Sequence, residues 1–163
     1  QDIEQRIQWY FDTLDFTKGR FSIQYLSQTI EYGDENELLQ VLNDNLRKEK
    51  IIKMANLGPH RDDFNFFIDG KNVKSFYSRG ICRIISYFFQ LSQSYLIEES
   101  TSLPMLMLLD EPFSEIHHDF KAQLIAHIPT NFNVVYTSTQ TDEISSLNKE
   151  QLYGINNGGL CKI

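Results

Sequence analysis

The sequence predicts an α/β fold, a mostly parallel sheet flanked by helices, preceded by the end of another helix. Three observations predict it. The apolar run Met105–Leu109 stops at Asp110-Glu111-Pro112. A second apolar run, Phe132–Tyr136, stops at Thr137-Ser138-Thr139-Gln140. Helical periodicity precedes the first run and separates the two. Short apolar runs bounded by turn signals read as strands covered on both faces, and their alternation with helices reads as a parallel sheet.

From the N-terminal end, Ile3, Ile7, Tyr10, Phe11 and Leu14 have helical spacing, and Lys18-Gly19 breaks that helix. Residues 21–27 alternate and read as a half-buried strand. Gly33-Asp34 reads as a turn, with Asp34 as N-cap and Glu37 three residues on. The helix it starts runs to about Lys50, with Leu38, Leu39, Leu42 and Leu46 as its stripe. Ile51–Ala55 reads as a short strand. Phe64–Ile68 and Val73–Phe76 read as a hairpin about Asp69-Gly70-Lys71. A long helix is expected from Gly80 to Glu99, and a shorter one from His118 to Ile128. The end of the chain reads as a hairpin, Leu152–Ile155 and Leu160–Ile163, about Asn156-Asn157-Gly158-Gly159.

A chain of 163 residues can bury a real core, and 13% aromatic residues exclude a disordered class. The net charge of −7 argues against an autonomous nucleic-acid binder. The charge is uneven. Residues 1–50 carry 6 basic and 10 acidic side chains, residues 51–102 carry 6 and 5, and residues 103–163 carry 3 and 7. Cys82 and Cys161 are far apart and fit no zinc spacing, which suits a reducing compartment. No signal peptide and no membrane-length apolar run is present, so a cytoplasmic protein with no membrane partner is expected. The chain begins at Gln1 within a helical pattern, so it reads as part of a longer protein.

Four stretches carry chemistry. Asp110 and Glu111 at a strand end form a Walker B pattern, with Asp110 placed for Mg²⁺ and Glu111 for the attacking water. The same residues also fit a core strand that ends in a solvated turn. Ser78-Arg79-Gly80 opens a long helix, where backbone N–H groups can meet an anion or the serine can simply cap the helix. Thr137 and Ser138 can reach a γ-phosphate or cap the next element of the chain. Gly58-Pro59-His60-Arg61-Asp62-Asp63 gathers donors and acceptors, as a phosphate or interface site needs, but also suits a surface turn. His117-His118 diverge on a helix and read as a solvated helix start.

In sequence order these stretches resemble the C-terminal half of an ABC/SMC-like ATPase head. With Gly58–Asp63, Phe64 and Phe66-Phe67-Ile68-Asp69-Gly70-Lys71 added, residues 20–163 resemble the RecF family of DNA replication and repair proteins. The resemblance implies that residues 1–18 end a helical arm and residues 19–163 form the C-terminal part of the head. It implies ATP and Mg²⁺ bound between two copies of the complete protein. Asp110 serves the metal, Glu111 the chemistry, and Thr137 and Ser138 the nucleotide, with Ser78 and Gly80 reaching the nucleotide of the second copy. His60, Arg61, Asp62 and Asp63 fall in an interface or phosphate motif, and Lys71 and Lys74 in the least acidic third, where DNA contact is expected. Junctions of single- and double-stranded DNA and other recombination-mediator proteins are the implied partners.

The sequence departs from the family pattern. Ile81 and Cys82 stand where the signature continues with two glutamines, and His117 where the loop after Walker B ends in an aspartate. No G-x-x-x-x-G-K-[ST] is present, so nothing here cradles the β- and γ-phosphates. A nuclease-associated ATPase head and a non-catalytic scaffold or DNA-binding module are the alternative readings.

Overall fold

The structure is a computed structural model that describes residues 2–27, 34–139 and 152–162. The expected turn residue Gly33 and the positions Gln140 and Ile163 lie outside the described residues. Two compact units emerge: residues 1–18 with 77–163, and residues 19–76.

In the first unit, helix α1 (Asp2–Thr13) packs on helix α4 (Arg79–Thr101). Ile7, Tyr10 and Phe11 of α1 are buried, as their spacing requires, and the Tyr10 and Phe88 rings stack at 4.6 Å. Strand β4 (Leu106–Asp110) pairs in parallel with β5 (Asn133–Thr137), and helix α5 (His118–Ala126) lies between them in sequence. Adjacent, parallel strands were the arrangement expected of the two apolar runs. The core gathers Ile84, Ile85, Phe88 and Leu91 of α4, Met107 and Leu109 of β4, Leu124 of α5, and Phe113, Ile116 and Phe132. Tyr87 donates its hydroxyl to the Leu124 carbonyl at 3.1 Å, and burial pushes its phenol well above the ordinary tyrosine range. A terminal hairpin, β6 (Tyr153–Asn156) and β7 (Gly159–Lys162), turns through Asn157-Gly158 with positive φ at both residues, the geometry expected of that pair.

In the second unit, strands β1 (Phe21–Leu26), β2 (Asp63–Ile68) and β3 (Lys71–Asn72) form an antiparallel sheet in that order. The β2–β3 turn is Asp69-Gly70, with φ of 49° and 72°. Asp34 caps helix α2 (Glu35–Ile52) by accepting from the Asn36 N–H at 2.8 Å.

Three expectations are corrected. Ile51–Ala55 is not a strand: α2 continues to Ile52 and ends at Lys53 in the left-handed region. β-branched residues disfavour a helix only weakly, so a helix already begun runs through them. Val73–Phe76 is not a strand but the short helix α3. Pairing ends at Asn72, whose side chain accepts from the Ser75 hydroxyl at 3.5 Å, and Val73 turns into the core. Finally, β4 is not buried on both faces. Met107 and Leu109 are 6% exposed, whereas Leu106 and Leu108 are 57% and 73% exposed. Val135 of β5 lies opposite Leu108 on that open face and is also exposed. The leucine stripe of α2 is likewise open: the helix has no buried residue, and Leu39 and Leu46 are exposed.

The open face of β4 and β5 predicts self-association of the isolated chain. Leu108→Glu places a charge at its centre and should raise the monomer fraction in sedimentation velocity. The same change at the buried Leu109 should unfold the chain instead.

Candidate functional site

The parallel register decides the site. It sets Asp110 beside Thr137 at the C-terminal ends of β4 and β5, where open α/β sheets bind ligands. The Thr137 hydroxyl donates to Asp110 Oδ1 at 2.5 Å and accepts from the Glu111 N–H at 3.1 Å. A hydroxyl can do both at once, so one side chain orients the carboxylate of Asp110 and the peptide of Glu111. Asp110 and Thr137 are exposed, and Glu111 and Ser138 are half-buried.

The loop after β4 is tightly folded. Glu111 and Glu115 both adopt left-handed φ, 46° and 66°, a region uncommon for residues other than glycine. The Glu111 carbonyl accepts from the Ser114 N–H at 3.3 Å and the Ser114 hydroxyl at 3.0 Å. Phe113 is fully buried and Ile116 nearly so, which anchors the loop in the core.

The first turn of α4 lies against this loop. Ser78 is the N-cap, its Oγ accepting from the Ile81 N–H at 3.4 Å. Arg79 and Arg83, one turn apart, face the two carboxylate oxygens of Glu115 at 4.0 Å and 3.7 Å. Arg83 also donates to the Glu111 carbonyl at 3.2 Å. A Cβ on Gly80 would stand 2.8 Å from the Glu115 carbonyl oxygen. His117 begins α5 as an exposed N-cap residue whose side chain makes no capping hydrogen bond.

The remaining candidates belong to the second unit. Gly58, at φ 123°, leads into a 3-10 turn, Pro59–Arg61. His60 Nε2 and the Nε and Nη2 of Arg61 converge on the Ala55 carbonyl at 3.2, 3.2 and 3.1 Å. Asp62 accepts from the Tyr25 hydroxyl, and Asp63 from the Phe64 N–H at 2.8 Å. Here the motif organises its own loop. Lys71 and Lys74 are exposed.

Within the first unit the structure thus joins Asp110, Glu111 and Thr137 directly, with Ser138 next in the chain. It sets Ser78 and Gly80 at the neighbouring helix start. Sequence reasoning singled out neither Arg83 nor Glu115 as site residues. The signal was the spacing of Arg79 and Arg83, which puts both on one helix face.

No protein-family model matches the chain. Curated relatives include the DNA replication and repair protein RecF of Staphylococcus aureus strains JH9 and Newman. Each is 28% identical over 153 residues, covering 89% of this chain and 41% of the relative. The chain is homologous to the C-terminal portion of RecF. It spans less than half the length of these relatives. Two solved structures, of the recombination mediator protein RecF in the RecFOR pathway with ATP and with ATPrS, match at TM-scores of 0.61 and 0.62. Both are 21% identical and cover 99% of this chain, which in turn covers 43% and 44% of them. The likeness to RecF in fold therefore takes in both compact units, and not only the strand ends.

The Thr137 bridge yields a direct test. Thr137→Val keeps the shape and removes the hydroxyl, so the Glu111 amide should exchange with solvent about 2- to 10-fold faster by mass spectrometry. Thr137→Ser should restore the wild-type rate.

Proposed function

We propose that this chain is the C-terminal part of the ATPase head of a RecF-like DNA repair and replication-restart protein. The observation that carries the reading is the Asp110–Thr137–Glu111 arrangement at the ends of two parallel strands. The sequence likeness to RecF and the RecF structures named for ATP support it. In the complete protein ATP binds at these strand ends, and a phosphate-cradling loop comes from another part of the polypeptide. Among the described residues no three His, Cys, Asp or Glu side chains cluster to hold a metal alone. An exposed carboxylate oriented by a hydroxyl nevertheless suits Mg²⁺, which takes one or two carboxylates and completes its shell with water and phosphate oxygens. Asp110 is the residue that would hold it, and the ion would neutralise charge developing on the phosphates.

Glu111 accepts a proton from the attacking water, and Thr137 fixes the peptide from which Glu111 projects. Ser138 completes the polar strand end. Ser78 and Gly80 face the nucleotide of a second copy, so ATP closes a dimer on junctions of single- and double-stranded DNA. Lys71 and Lys74 offer exposed cations for that DNA, and His60, Arg61, Asp62 and Asp63 shape the loop of the same unit. Residues 1–18 are the returning end of the arm. Among the described residues no helix is long and apolar enough to cross a membrane. Other recombination mediators are the protein partners of this reading, and the cytoplasm is its place.

One observation favours a second reading, a scaffold that keeps the fold without turnover. Ser78 is occupied as an N-cap, and Ile81 and Cys82 beside it have no side-chain amide to offer a nucleotide. ATP turnover decides between the two.

In the complete protein Glu111→Gln should spare ATP binding and lower hydrolysis by ~10²–10⁴-fold, with dimers accumulating on DNA. Asp110→Asn should weaken both binding and hydrolysis. Wild-type protein that hydrolyses no ATP, even with DNA, leaves the scaffold reading standing. The isolated chain should bind no Mg-ATP by calorimetry, because it lacks the phosphate loop.

A further inference from the structure

We propose that Arg83 is a positioning residue that ties the first turn of α4 to the loop carrying Glu111. The inference rests on the hydrolytic reading of Glu111 and extends it. Arg83 reaches both ends of one loop: Nη1 donates to the Glu111 carbonyl at 3.2 Å, and Nε lies 3.7 Å from Glu115 Oε2. Those are the two residues of the loop held at left-handed φ. Backbone held in that region persists only where its surroundings over-determine it. Phe113 supplies the apolar anchor from within, and Arg83 supplies the polar one from α4.

Gly80 makes this proximity possible. Its φ is not in the left-handed region, so backbone conformation does not require glycine there. Contact does, because any Cβ would press on the Glu115 carbonyl oxygen, a backbone atom that cannot swing away. Arg79 adds a second cation at the other oxygen of Glu115. The start of α4 and the loop therefore move together. A shift of α4 at Ser78 and Gly80 reaches the Glu111 carbonyl through the Arg83 guanidinium and turns the peptide that aims the Glu111 side chain. Engagement of the second copy's nucleotide by the α4 start is thereby linked to placement of the base.

The planar fork of arginine is what spans two acceptors; a lysine is a single point charge. The Arg83 side chain is 42% exposed and Glu115 45%, so their ion pair alone contributes little. The geometric hold on the loop is the larger effect. Charge without the fork is accordingly insufficient.

The test uses the complete protein. Arg83→Ala and Arg83→Lys should each lower the kcat of DNA-stimulated ATP hydrolysis by ~3–10-fold and leave KM within about twofold of wild type. Without nucleotide, hydrogen exchange across residues 111–116 should quicken by ~3–10-fold in Arg83→Ala. Gly80→Ala should quicken it too. Glu111→Gln, assayed in parallel, reports on the underlying reading. Unchanged exchange overturns the proposal whatever the ATPase does. Unchanged kcat, in a protein whose turnover Glu111→Gln abolishes, also overturns it. Turnover indifferent to Glu111→Gln overturns the hydrolytic reading itself, and the positioning role with it.

Discussion

The parallel pairing of β4 with β5 is the constraint on which the site depends. A one-residue slip in either strand would send Asp110 or Thr137 to the opposite face of the sheet. In the observed register the two side chains meet, and the Thr137 hydroxyl spans from the Asp110 carboxylate to the Glu111 amide. Register itself is held from below. Met107 and Leu109 enter the core with Leu124 and Phe113, and a slip would exchange them for the exposed leucines. Apolar burial thus sets the position of a polar bridge that it does not touch.

The same two strands show how a fold can be specified and still have an open face. Leu106, Leu108 and Val135 share the side of the sheet that carries Asp110 and Thr137. Apolar surface beside a polar strand end is what a further layer of protein would cover. This chain spans 41% of the length of its RecF relatives. The functional reading has the same form, since the phosphate loop it needs is absent from this sequence.

Two polar clusters that look alike in sequence behave differently in the structure. In Gly58–Asp63 the histidine and arginine turn inward on the Ala55 carbonyl and fix their own loop. At the start of α4, Arg79 and Arg83 reach away from their helix to Glu115 and the Glu111 carbonyl. The first arrangement is local and comes from a tight turn after a glycine at φ 123°. The second joins residues 28 positions apart in the chain and exists only because α4 can approach the loop at Gly80.

Local chemistry made much of this protein legible in its sequence. The Asp34 cap, the Asp69-Gly70 and Asn157-Gly158 turns and the buried stripe of α1 each arise from residues within a few positions of one another. So does the break of the Met105–Leu109 run at two acids, from which the α/β class, the strand ends and the candidate pair Asp110 and Glu111 were read. Other features were open to more than one reading until packing chose. Ile51-Ile52 suits strand or helix, and helix continuation won. Val73–Phe76 reads as a strand from the Asp69-Gly70-Lys71 hairpin signal, yet pairing stopped at Asn72. An apolar run marks a buried strand but does not count the layers that cover it, so the open face of β4 was invisible. The contact of Arg83 and Gly80 with the Glu111–Glu115 loop was equally hidden. Sequence carries the type of a side chain and its periodicity. Which carbonyl an arginine reaches, and which glycine is needed for close approach, depend on distances between elements that only the folded chain sets.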